Sequence, residues 1–282
     1  MTSFEIREMT PPDVDAAVAL ALAQGWRDRR LFYNMVLRLP SCQPLVGTLD
    51  GRVVATGLGV VSRPVGWIGA IVVAVDQRRR GFGRAMTEQI CERLRVAGCA
   101  TLSLEATDAG RPLYERLGFR LTTTYHQLQA DHLDEPPVPP DRARVRMLTG
   151  ADLPAVLELD RLATGEDRTA ALEDLATAGG WVLLEDSPRP GLRGFLLPAE
   201  RAYGAVIAPR PRDGIYLLDL HRYVIPAGAH VRAGVPHDHA AGWHELEARG
   251  WHETWRAPRM LLGPDVDWHP EMIWGQINSA MG

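Results

Sequence analysis

The chain has 282 residues, 46% of them hydrophobic and 23% charged, with a formal net charge of −4. That length favours two domains, and the composition is that of an ordinary globular protein. The slightly acidic balance leaves no basic footprint for nucleic acid; no stretch is long and apolar enough to span a bilayer and the N-terminus lacks a signal-peptide pattern, so neither a membrane nor a nucleic-acid partner is expected and the location is read as cytoplasmic.

In chain order, residues 4–9 read as a strand, 12–22 and 28–37 as helices, and 44–49 and 53–61 as strands around the hairpin signal Asp50-Gly51. A strand at 67–75, a helix at 84–96, a strand at 100–105, a helix at 111–117 and a strand at 121–128 complete a unit spanning 1–130. Residues 131–142, acidic and rich in proline, read as a semi-rigid linker. The order then recurs over 143–282. Ile6-Arg7-Glu8-Met9-Thr10 with its following helix parallels Val145-Arg146-Met147-Leu148-Thr149, and Leu117-Gly118-Phe119 parallels Arg249-Gly250-Trp251. Two tandem units of one mixed α/β fold follow. Cys42, Cys91 and Cys99 are odd in number and lack metal spacing, so reduced thiols and no metal are expected. His237-Asp238-His239 offers metal-binding side chains but no further ligands at site-like spacing.

The stretch 73–84 carries the chemistry. An apolar run ends, Arg78, Arg79 and Arg80 follow with Gly81 and Gly83, and Met86, Ile90 and Leu94 then share one helix face. A strand, a glycine-bearing turn and a helix N-terminus form an anion site, because the first helical N–H groups lack intrahelical partners and the dipole adds positive charge. The chain contains no lysine, which excludes a P-loop, and Met86 stands where a dinucleotide fingerprint needs its third glycine. A solvated arginine run with a plain turn is the remaining alternative. Downstream, Leu104-Glu105-Ala106 leads into Arg111-Pro112-Leu113-Tyr114-Glu115-Arg116-Leu117-Gly118-Phe119, a strand followed by a helix with proline in its first turn and glycine at its cap.

Both motifs, in this order, resemble those of the GNAT acetyltransferases. The resemblance covers most of 1–130. It implies a splayed, mostly antiparallel mixed sheet flanked by helices, an acyl-CoA N-acyltransferase fold, in each unit. It also implies acetyl-CoA as co-substrate. Its pyrophosphate would rest on Arg78, Arg79, Arg80, Gly81, Phe82, Gly83 and Arg84, and its pantetheine arm on the strand edge at Ile71, Val72 and Val73. Tyr114 takes the general-acid position; its alternative is a buried aromatic on an amphipathic helix. Glu105, Asp108 and His126 are the candidate bases, each with an ordinary structural role as alternative, and water could serve instead. Trp26, Tyr33 and Asn34 fall in the acceptor wall. The second unit has Pro211 where the first has Arg78, Tyr216 for Gly83 and Leu246 for Tyr114. That combination resembles the bacterial YitH-like two-domain acetyltransferases, with a degenerate C-terminal unit, as do Gly25-Trp26 and the run 163–168. The implied activity is acetylation of an amine on a small molecule by direct attack in a ternary complex, by a monomer or homodimer. A protein or peptide N-acetyltransferase and a non-catalytic acyl-CoA sensor are the alternatives.

Overall fold

A computed structural model describes residues 3–282, apart from the side chains of residues 240 and 241. The elements are β1 (Phe4–Glu8), α1 (Val14–Ala23), α2 (Arg30–Arg38), β2 (Cys42–Leu49), β3 (Arg52–Ser62), β4 (Val65–Val73), α3 (Phe82–Val96), β5 (Thr101–Glu105) and α4 (Arg111–Arg116). They continue with β6 (Arg120–Asp131), β7 (Ala143–Met147), α5 (Leu153–Thr164), α6 (Thr169–Thr177), β8 (Trp181–Glu185), β9 (Leu192–Pro198), β10 (Gly204–Ile207), α7 (Pro211–Val224), β11 (His230–Pro236), α8 (Ala240–Ala248), β12 (His252–Leu262) and β13 (Ile273–Gly275). No described helix is long and apolar enough to cross a membrane. The fold is mixed α/β, and the expected repeat of ten elements is present twice.

The repeat extends to atomic detail. Thr10 donates its N–H and its hydroxyl to the Asp13 carboxylate, each at 2.8 Å, and Arg7 grips the same carboxylate with two bonds of 2.7 Å. Thr149, Asp152 and Arg146 reproduce all four bonds at the same lengths. Each set is a capping box closed from behind by an arginine, so the chain enters the first helix of both units at a fixed angle. The bonds to arginine and threonine hold both carboxyls well below the usual carboxylate range.

In the first unit the strand order is β1-β2-β3-β4-β5, antiparallel up to β4 and parallel from β4 to β5. Helix α3 lies on β3 and β4 through Met86, Ile90 and Leu94, all essentially buried. Gly57 and Gly59 make that approach possible: a Cβ on Gly57 would come within 2.7 Å of Ile90, and one on Gly59 within 3.1 Å.

The unit boundary differs from the expected one near residue 130. The first compact unit is 1–120 with Leu261–Pro264 and Met281; Leu121–Met260 and Asp265–Ala280 belong to the second. Strand β6, expected to close the first unit, pairs antiparallel with β11 in the second, from Tyr125↔Pro236 to Asp131↔His230. Conversely the end of β12 belongs to the first unit, where Thr101 Oγ1 donates to the Pro264 carbonyl at 2.8 Å and Gly263 lies so close to Ala100 that a Cβ would meet its carbonyl at 2.5 Å. The second unit also holds the antiparallel sheet β13-β10-β9-β8-β7. Strand β13 has no counterpart in the repeat and was not expected from the sequence.

Candidate active site

The site of the first unit is built on the end of β4. Pairing with β5 runs only from Val65↔Thr101 to Ile68↔Leu104. Beyond Ile68 the strands part, and Gly69, Ile71 and Val73 are half-buried where the four residues before them are buried. A bulge accompanies the parting. Thr56 faces Val72 and Leu58 faces Gly69, so Ala70 and Ile71 share a single partner, Gly57. Ala70 takes φ +51°, a conformation that costs a non-glycine residue energy, and its carbonyl accepts the Thr56 hydroxyl at 2.9 Å. A bulge of this kind re-aims backbone groups and ends regular pairing. Ile71, Val72 and Val73 therefore lie on β4 beyond its pairing with β5, with the Val73 carbonyl accepting from Gln24 Nε2 and Arg78 Nε, each at 3.5 Å. The bulge, with Ala70 and Thr56, is the component that sequence reasoning missed; two small residues, Gly69 and Ala70, are its only trace in the sequence.

The arginine-glycine turn follows directly. Gly81, at φ +87°, is the N-cap of α3, and the first helical bond is Ala85 N–H to the Gly81 carbonyl at 3.0 Å. The N–H groups of Phe82, Gly83 and Arg84 lie ahead of that bond and have no intrahelical acceptor. A Cβ on Gly83 would meet Val73 and Leu113 only at 3.6 and 3.8 Å. Packing therefore does not require glycine there. Arg78, Arg79, Arg80 and Arg84 are all exposed. Arg78 is bonded to Gln24, Arg80 to Gln77 and, at 2.9 Å, Arg84 to Glu88; Arg79 makes no ion pair among the described residues. Phe82 turns inward and stacks on Phe4 with ring centroids 4.0 Å apart.

Tyr114 on α4 is buried beside Phe119, ring centroids 6.0 Å apart. Desolvation, and secondarily the Cys91 thiol, push its pKa up to about 12, so the phenol keeps its proton at neutral pH. Glu105 is half-buried at the end of β5, while Asp108 is exposed in the turn before α4. His126 lies on β6 and so in the second unit, where Nδ1 is bonded to Glu253, Nε2 lies 3.0 Å from His237 Nδ1, and the ring stacks on Trp243. On α2, Tyr33 is buried with its hydroxyl beside Thr56 and without a hydrogen bond of good geometry, and burial raises its pKa. Asn34 is exposed and Trp26 half-buried, with the Arg29 guanidinium 5.4 Å from the Trp26 ring and 4.0 Å from that of Phe32.

The corresponding place in the second unit is filled by the chain. Strand β10 has β9 on one side and β13 on the other, Val206↔Gly275 and Ile207↔Ile273. Trp274 is fully buried, donates Nε1–H to the Ala208 carbonyl at 3.1 Å and stands edge-on to His239. A Cβ on Gly214 would lie 2.2 Å from its ring. Helix α7 opens with Pro211, Tyr216 is buried and Leu246 is fully buried. In the run 163–168, Gly165 caps α5 at φ +70°, and Arg168 makes a buried two-bond ion pair with Asp160 at 3.0 and 2.5 Å. No group of three or more His, Cys, Asp or Glu with metal-holding geometry occurs among the described residues.

A parallel β4–β5 pair that parts over a bulge, with an arginine-glycine turn at the head of α3, defines a GNAT fold. Residues 8–119, less than half of the chain, match the profile of the Acetyltransferase (GNAT) family. Glucosamine 6-phosphate N-acetyltransferase of Trypanosoma brucei brucei is 40% identical over 58 residues, 21% of this chain and 40% of that protein, so the match spans less than half of that relative's length. Among solved structures, a putative acetyltransferase from Pyrococcus horikoshii aligns over 99% of this chain and 96% of its own with a TM-score of 0.83 at 22% identity. A tandem GNAT protein from the clavulanic acid biosynthesis pathway aligns over 93% and 100% with a TM-score of 0.65 at 18% identity. At those identities the likeness is one of fold, and it extends over both units.

Proposed function

We propose that the first unit binds acetyl-CoA and acetylates an amine of a small molecule, and that the second unit is a degenerate copy without coenzyme, as in the YitH-like arrangement. The observation that carries this reading is the contrast between the two β4-type strands: one ends in a bulged, unpaired edge beside an arginine-glycine turn, the other is paired with β13. The residues of the first unit suit the coenzyme. Gly83 leaves room for a phosphate against the N–H groups of Phe82, Gly83 and Arg84, and Arg78, Arg79, Arg80 and Arg84 supply charge. Ile71, Val72 and Val73 offer backbone groups to the pantetheine amides in the manner of an added strand.

When bound, the coenzyme supplies an activated acetyl group, which a neutral amine attacks directly. Tyr114 holds a proton that a departing thiolate can take. An N–H on the bulged stretch, about Val72 or Val73, is the donor for negative charge on the carbonyl oxygen. The amine loses its proton to Glu105 or Asp108, or to water. Trp26, Tyr33 and Asn34 line the acceptor side, where an aromatic wall suits an apolar or cationic acceptor.

Calorimetric titration with acetyl-CoA tests the reading. One site per chain is expected, abolished by Gly83→Tyr in imitation of Tyr216; two sites, or none, would overturn it. A non-catalytic acyl-CoA-binding module is the second reading, favoured by the absence of any carboxylate on β4. It predicts binding without turnover on any amine.

A further inference from the structure

We propose that Thr56 on β3 is a positioning residue for the reaction proposed above for the first unit, a reading on which this inference rests. Its buried hydroxyl fixes the Ala70–Ile71 peptide and so aims the Ile71 N–H at the acetyl end of the coenzyme. Thr56 is 0% exposed and carries the one hydroxyl in the apolar run 53–61. Valine has the same shape and would fill that space without a polar group to satisfy, so packing alone does not call for threonine. The hydroxyl donates to the Ala70 carbonyl at 2.9 Å. Ala70 is the residue on which the bulge falls, with φ +51°. The extra residue of a bulge is left out of the ladder, so its carbonyl needs a donor from elsewhere. From α2, Tyr33 brings its own buried hydroxyl beside that of Thr56.

A trans peptide is planar, and its C=O and N–H point in opposite directions. Holding the Ala70 carbonyl toward Thr56 therefore turns the Ile71 N–H away from β3. Strand β4 lies between β3 and β5, and its pairing with β5 ends at Ile68, so that N–H faces the side on which β5 has parted. The arginine-glycine turn follows the end of β4, so an arm running from it back along the strand passes Val73 and Val72 before it reaches Ile71. The Ile71 N–H then meets the end of the arm that carries the acetyl carbonyl, and it joins the donors of the bulged stretch. The second unit lacks the hydroxyl and the bulge together. Its β9, Leu192–Pro198, contains no serine or threonine and pairs with β10 from Pro198↔Gly204 to Phe195↔Ile207 without a shift of register.

The test is calorimetric titration of the full chain with acetyl-CoA and with CoA, which lacks the acetyl carbonyl. Thr56→Val should weaken acetyl-CoA by about threefold to tenfold, the worth of one hydrogen bond, and leave CoA within about twofold. A residue that served only stability would move both ligands alike. Thr56→Ser keeps the donor and should hold acetyl-CoA within about twofold of the unaltered chain, whereas Thr56→Ala, which loses the same methyl and the hydroxyl as well, should repeat the loss. That second pair decides the matter if Thr56→Val fails to fold. Undiminished acetyl-CoA binding by the valine and alanine variants, or an equal loss of acetyl-CoA and CoA, would overturn the assignment and leave the coenzyme reading in place. Binding of neither ligand by the unaltered chain would instead overturn the reading of the first unit, and this assignment with it.

Discussion

At the scale of single residues, Tyr114 and Asp13 show how burial and bonding set chemistry. A phenol whose pKa burial pushes up to about 12 keeps its proton at neutral pH. Tyr114→Phe is expected to lower kcat on an accepted amine by about a hundredfold and to leave acetyl-CoA affinity unchanged, as measured by steady-state kinetics beside calorimetry. Asp13 is held ionised by Arg7 and Thr10, so its folded-state pKa lies below the unfolded value. Its contribution is present above the ordinary carboxylate range and is lost as pH falls through and below it. Asp13→Asn should cost about 1 kcal/mol at pH 7, a deficit that denaturant titration should find shrinking below about pH 4. Asp152→Asn, in the matching box of the second unit, should behave the same way.

Helix α7 concentrates the element-scale effects. His221 is 2% exposed within it, and desolvation lowers its pKa to about 4. The unfolded chain therefore binds a proton near pH 6.5 that the folded chain refuses until about pH 4. Stability is full above the unfolded value and declines as pH falls between the two, by on the order of 3 kcal/mol for the whole interval. Thermal melts across that range should show the loss, and His221→Leu should flatten it. The same helix carries Gly214 against Trp274; with a Cβ 2.2 Å from the indole, Gly214→Ala should cost about 1–3 kcal/mol by overpacking.

For the whole molecule, the two units share one order of elements and differ in the pairing at one strand edge, that of β4 in the first and β10 in the second. In the first, the pairing of β4 with β5 ends at Ile68. In the second, β10 is paired on that side with β13. Trp274→Ala removes a fully buried indole and should lower stability by about 3–5 kcal/mol. It should not create a second acetyl-CoA site, because Pro211 and Tyr216 still occupy the loop; calorimetric stoichiometry on the variant checks this.

The sequence by itself determined the repeat, the order of elements and the glycine turn between β4 and α3, because these rest on local signals: hydrophobic period, capping residues, and glycines between a strand and a helix. Gly81 was legible since only glycine suits φ +87° at a helix cap. Tertiary structure alone decided which partner each strand would take. The pattern of β6 says that it pairs, but the edges of two related units are chemically alike, so nothing local assigns it to β11. The bulge at Ala70 is equally silent, since it arises where three strands must fit together rather than from any residue's preference. Three residues, Ile273–Gly275, are too few for a periodic signal; β13 exists because the edge of β10 was there to receive it.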